Sequence, residues 1–78
     1  MTNSLHRMHT ISAELVANVA SVLVAPGDTV GPTDALVILE SMKMEIPVLT
    51  EDGGVVSELR VAEGDVVQEG DLIAVVGA

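Results

Sequence analysis

The chain has 78 residues, 49% of them hydrophobic, a formal charge of −9, no cysteine and no aromatic residue. Disulfides, thiolate chemistry and Cys-type zinc sites are excluded, and no ring face is available to stack a base or a planar cofactor. The acidic balance disfavours nucleic acid and anionic membrane as partners, leaving solubility or attraction to basic protein surfaces as its use.

Residues 1–10 come before any strand pattern and hold no apolar run of signal-peptide type. They read as a flexible tail, with one domain over 11–78. His6 and His9 fall in that tail without converging partners, so a passive role is expected of them. From residue 11 onward the chain is rich in valine, with fourteen in all. Branching at Cβ suits a pleated, half-buried surface, and no segment keeps a helical period. The longest apolar runs, such as Ala35 to Leu39, reach five residues, against about 20 for a membrane-spanning helix. A cytoplasmic protein is expected. So small a domain has a thin core, which favours one exposed functional feature over a deep catalytic cleft.

The next elements come in duplicate, at an offset of 37 residues without a gap. Val22 to Val30 lies over Leu59 to Val67, sharing Gly-Asp at Gly27-Asp28 and Gly64-Asp65. Asp34 to Leu39 lies over Asp71 to Val76, Glu14 over Glu51, and Val19 over Val56. Each copy reads as strand, turn, short strand, turn, strand, with Pro26-Gly27, Gly64-Asp65 and Gly70-Asp71 as turn signals. Two copies are too few for a solenoid. The expectation is an all-β barrel or sandwich with two pseudo-symmetric halves. The scattered carboxylates Glu51, Asp52, Glu58, Glu63, Asp65, Glu69 and Asp71 are expected as solvated turn and edge residues rather than metal ligands.

The copies meet at Glu40-Ser41-Met42-Lys43-Met44-Glu45, between Leu36 to Leu39 and Ile46 to Leu49. The simplest geometry is a β-hairpin with Met42 and Lys43 at its tip. Two-residue hairpin turns prefer Asn-Gly or Asp-Gly, since both positions need φ > 0. Met-Lys breaks that rule, as functional sites tend to; a longer relaxed loop is the alternative. Lys43 is the sole lysine. Nothing in the sequence desolvates it, so it suits acylation by another enzyme better than catalysis of its own. Met42 and Met44 either fold back on the barrel or offer flexible thioethers to a partner.

This hexapeptide closely resembles the biotin attachment motif of biotin carrier domains in biotin-dependent carboxylases and decarboxylases. The resemblance extends over Ser12 to Val76 and includes Gly27-Asp28, Gly54, Gly64-Asp65 and Gly70-Asp71. It implies a flattened eight-stranded barrel or sandwich of biotinyl/lipoyl-domain type, a hammerhead with two quasi-symmetric halves. The ungapped repeat leaves no room for the thumb loop of some carriers. By position, Lys43 would carry covalent biotin, Met42 and Met44 would be its recognised flanks, and Glu40, Ser41 and Glu45 would complete the motif. The implied partners are biotin-protein ligase, biotin carboxylase and carboxyltransferase; the chain itself would be a monomeric carrier and not an enzyme. Family members have a Pro-Met-x-Gly-like stretch where this chain has Glu14-Leu15-Val16-Ala17. If Ala17 must take a glycine conformation, strain is expected there. Two other readings remain: a lipoyl carrier, against which Met42 and Met44 argue, and an unmodified regulatory or interaction domain.

Overall fold

The computed structural model describes residues 8–77. All regular structure there is extended: β1 (Met8–Ser12), β2 (Ala17–Val22), β3 (Thr29–Val30), β4 (Ala35–Ser41), β5 (Met44–Leu49), β6 (Gly54–Leu59), β7 (Val66–Val67) and β8 (Leu72–Gly77). Two four-stranded sheets, ordered β1-β8-β6-β3 and β5-β4-β2-β7, are antiparallel throughout. The offset of 37 residues carries β2, β3 and β4 onto β6, β7 and β8, and carries the first sheet's order onto the second's. Each sheet therefore takes two strands from each half, so neither half could bury its apolar face alone. The fold is the expected all-β barrel or sandwich with two pseudo-symmetric halves.

The repeat reaches further upstream than the side chains suggest. β1 is the counterpart of β5, and Met8 to Thr10, expected in the tail, are strand residues. His9 accordingly sits in β1, with Nε2 3.3 Å from Asp52 Oδ2, rather than standing alone. The expectation for residues 1–7, His6 among them, lies outside the described residues.

Strand alternation puts Ala17 and Val19 of β2 into the core, together with Leu36, Val37 and Leu39 of β4, Val56 of β6 and the unbroken run Ile73 to Val76 of β8, which does not alternate. Each such branched side chain contributes about 1.5–3 kcal/mol on burial. β8 lies between β1 and β6, and all its residues from Ile73 to Gly77 are buried.

The turns are duplicated in their hydrogen bonds. Ala25 N–H donates to Asp28 Oδ2 at 2.9 Å, and Ala62 N–H to Asp65 Oδ2 at 2.9 Å. Gly31 N–H donates to Asp34 Oδ2 at 2.7 Å, and Gln68 N–H to Asp71 Oδ2 at 2.9 Å. Asp65 and Asp71, expected as solvated turn residues, thus also hold their turns together, as aspartates can by accepting from nearby backbone. The conformations recur as well: Gly27 has φ 97° and Gly64 φ 92°, while Gly70 at 92° corresponds to Thr33 at 68°. Thr33 is a β-branched residue in a left-handed position, a genuine outlier.

Ala17 is not strained, although its glycine counterpart pointed that way. It is absent from the positive-φ residues, and Gly54 has no positive φ either. Gly54 is required by crowding: a Cβ there would stand 2.0 Å from the Gly77 carbonyl oxygen.

Candidate functional site

β4 and β5 pair in register from Leu39↔Ile46 through Glu40↔Glu45 to Ser41↔Met44. Only Met42 and Lys43 remain to turn the chain. They have φ values of 53° and 64°, so both central residues are left-handed, as a type I′ turn requires. That is the two-residue hairpin, not the longer relaxed loop. A left-handed residue other than glycine costs roughly 1–2 kcal/mol, and asparagine or glycine would relieve it. Two costly residues at one turn are tolerated because the ladder below over-determines the hairpin, a pattern that points to function.

The turn holds Lys43 out in solvent. Among the described residues His9 stands close to Asp52 and Arg60 pairs with Glu58, and neither contact involves Lys43. Met42 is 91% exposed and Met44 62%, so neither thioether folds back on the barrel. Glu40 and Glu45 are exposed and directly opposite each other across the ladder. Like charges in that arrangement repel, so the pair weakens the hairpin rather than supporting it. Ser41, half-buried, pairs with Met44 as the last rung. All six motif residues are thus gathered on one projecting hairpin.

A shallow depression beside the turn is lined by Val16, Ala17, Asn18, Glu40, Ser41, Met42, Lys43 and Val66. A larger groove runs between the edge strands β1 and β5, and Lys43 does not line it. Lys43 lines the first. No three His, Asp or Glu side chains converge to hold a metal among the described residues. Among them, too, no helix is long and apolar enough to cross a membrane.

An exposed primary amine on a short rigid turn can accept an acyl group and display it. The carboxylates of the hairpin, Glu40 and Glu45, are exposed to solvent beside that turn. The residues present therefore fit a covalently attached prosthetic group with a carboxyl function, joined through an amide.

Comparison with known proteins agrees with this arrangement. Residues 7–76 match the family profile described as "Biotin-requiring enzyme". The chain is 58% identical over 66 residues to the "Biotinylated protein TB7.3 homolog" of Mycobacterium leprae, covering 85% of this chain and 93% of that one. It is 42% identical over 64 residues to the "Biotin/lipoyl attachment protein" of Bacillus subtilis, covering 82% of this chain and 88% of that one. Among solved structures, the urea carboxylase of Kluyveromyces lactis superposes with a TM-score of 0.83 at 32% identity, over 88% of this chain but 6% of the larger enzyme.

Proposed function

The chain belongs to the biotin/lipoyl-attachment family, and from that premise we propose that it is a biotin carrier whose attachment residue is Lys43. One observation carries the assignment: the sole lysine stands at the exposed tip of a two-residue turn, between two exposed methionines. Biotin-protein ligase transfers the AMP part of ATP to the biotin carboxyl and releases pyrophosphate. The Lys43 amine attacks that carboxyl, a C–N bond forms, AMP departs and two protons leave the ammonium. The formal charge falls from −9 to −10, one unit below the unmodified chain.

The chain's own residues then position and display. The β4–β5 ladder fixes the root of the arm, the left-handed turn points it outward, and the barrel keeps it off the core. When bound, biotin supplies a ring nitrogen that carries a carboxyl group between biotin carboxylase and carboxyltransferase. Tethering replaces diffusion of free cofactor by a high effective concentration near each partner. Catalytic groups belong to those partners, so the carrier is not an enzyme, and its place of work is the cytoplasm.

The name of the Bacillus subtilis relative keeps a lipoyl reading in view. Methionines on both sides of Lys43 favour biotin, and the mass of the adduct separates the two acyl groups. The test is incubation of the chain with ligase, ATP and biotin, followed by streptavidin capture and intact mass. One biotinyl group is expected, and none on Lys43→Arg. An adduct that persists in Lys43→Arg overturns the site; a lipoyl adduct in cells, with no biotin transfer in vitro, overturns the cofactor.

A further inference from the structure

The 37-residue symmetry permits a comparison within the molecule. At the hairpin end, Val16 is 57% exposed and Val66 61%. Their counterparts at the other end of the barrel are Gly53 and Thr29. The same backbone thus forms with no side chain at one position and with a hydroxyl in place of a methyl at the other. Neither position needs an exposed branched hydrocarbon in order to fold. Both valines line the depression that also holds Met42 and Lys43. Three apolar side chains from three chain segments are therefore gathered beside the reactive amine. Asn18, paired with both Glu40 and Val66, adds a polar group between them, and Glu40 and Glu45 form an acidic rim.

We infer that Val16 and Val66, together with Met42, form a docking surface for the enzyme that acylates Lys43. The inference rests on the carrier reading above and adds residues outside the hairpin motif. Reach selects the occupant. An acylating enzyme must bring its active site into bonding distance of the lysine nitrogen itself, so its surface must close over the tip and the depression beside it. An enzyme that uses the loaded arm has to reach only its far end, so its chemistry does not require close contact with the barrel. Apolar side chains at the centre with polar and charged groups around them match the anatomy of a protein interface. The acidic rim fits a partner with basic groups around its lysine-entry cleft, and the charge pair raises the encounter rate more than the affinity.

The test is the double substitution Val16→Thr and Val66→Thr in the full chain. Threonine keeps the valine shape and already stands at the position symmetric to 66. An unpartnered hydroxyl forced into an apolar contact is unfavourable, and a fall in kcat/KM for biotin transfer of roughly tenfold is expected, carried by KM. Thermal melting should match the parent chain, separating docking from folding. A variant whose melting differs is replaced by Val66→Thr alone, for which a fall in kcat/KM with unaltered melting is expected. Once loaded by prolonged incubation, the double variant should be carboxylated by biotin carboxylase at the parent rate. An unchanged transfer rate, or an equal loss in transfer and carboxylation, overturns the docking assignment. Failure of the parent chain to accept biotin overturns the carrier reading instead, so the two failures are distinguishable.

Discussion

The two ends of the barrel carry the same ladder and use it differently. At one end, Glu40 of β4 opposes Glu45 of β5, and Met42-Lys43 joins the strands. At the other, Gly77 of β8 opposes Met8 of β1, at the positions 37 residues away, and no turn joins them. The terminal end is closed tightly: a Cβ on Gly77 would lie 2.9 Å from Met8 Sδ, and one on Gly54 would lie 2.0 Å from Gly77 O. The hairpin end is open, with facing carboxylates, two left-handed residues and exposed methionines. One architecture thus yields a packed end and a displayed end. The features of the hairpin that disfavour folding are not required by the ladder, since the ladder also forms without them.

The largest effect on stability should come from placing at the packed end the side chain that the open end already holds. Gly54→Ala copies Ala17, yet its methyl group collides with backbone that cannot rotate away. A loss of about 2–3 kcal/mol is expected in urea unfolding. A loss below about 0.5 kcal/mol would show that the two ends are equally open.

The converse change is smaller and opposite in sign. Met42→Gly relieves one left-handed residue and should raise stability by about 0.5–1 kcal/mol, the conformational gain less the entropy of the added glycine. Biotin transfer should slow in the same variant, because a thioether beside Lys43 is lost. Faster transfer with higher stability would mean that Met42 is there for neither purpose.

The smallest effects test the shared frame. Asp28→Ala and Asp65→Ala remove equivalent acceptors, each holding a backbone N–H at 2.9 Å. Each should cost about 0.5–1 kcal/mol, and the two costs should agree within roughly 0.5 kcal/mol. A wide disagreement between the two chemical-denaturation midpoints would confine the symmetry to backbone geometry.

Much of the fold and of the site is legible in the amino-acid sequence. Fourteen β-branched valines without a helical period imply strands, and the matched turns Gly27-Asp28 and Gly64-Asp65 imply a duplicated unit. The hairpin follows from apolar runs on either side of a polar junction, and the lone lysine stands out by being alone. What stays hidden has specific causes. Met8 to Thr10 of β1 read as part of a tail because none of them matches its β5 counterpart; the one comparable pair is Ile11 over Val48. Edge strands are held by backbone hydrogen bonds, which carry no side-chain signature. His9 looks isolated because its partner, Asp52, is 43 residues away in sequence and close only in space. The exposure of the methionines does not follow from their type, since a thioether suits a core as well as a surface.

The sequence by itself determined the strand content, the pseudo-two-fold halves and the position of the amine at their junction, because these follow from local preference and from repetition along the chain. Tertiary structure alone decided that β1 closes on β8, that Gly54 answers to crowding rather than to conformation, and that Val16 and Val66 stand beside Lys43. Each of those depends on which distant segments lie next to one another, and proximity in space is set by the pairing of the sheets, not by the residues taken in order.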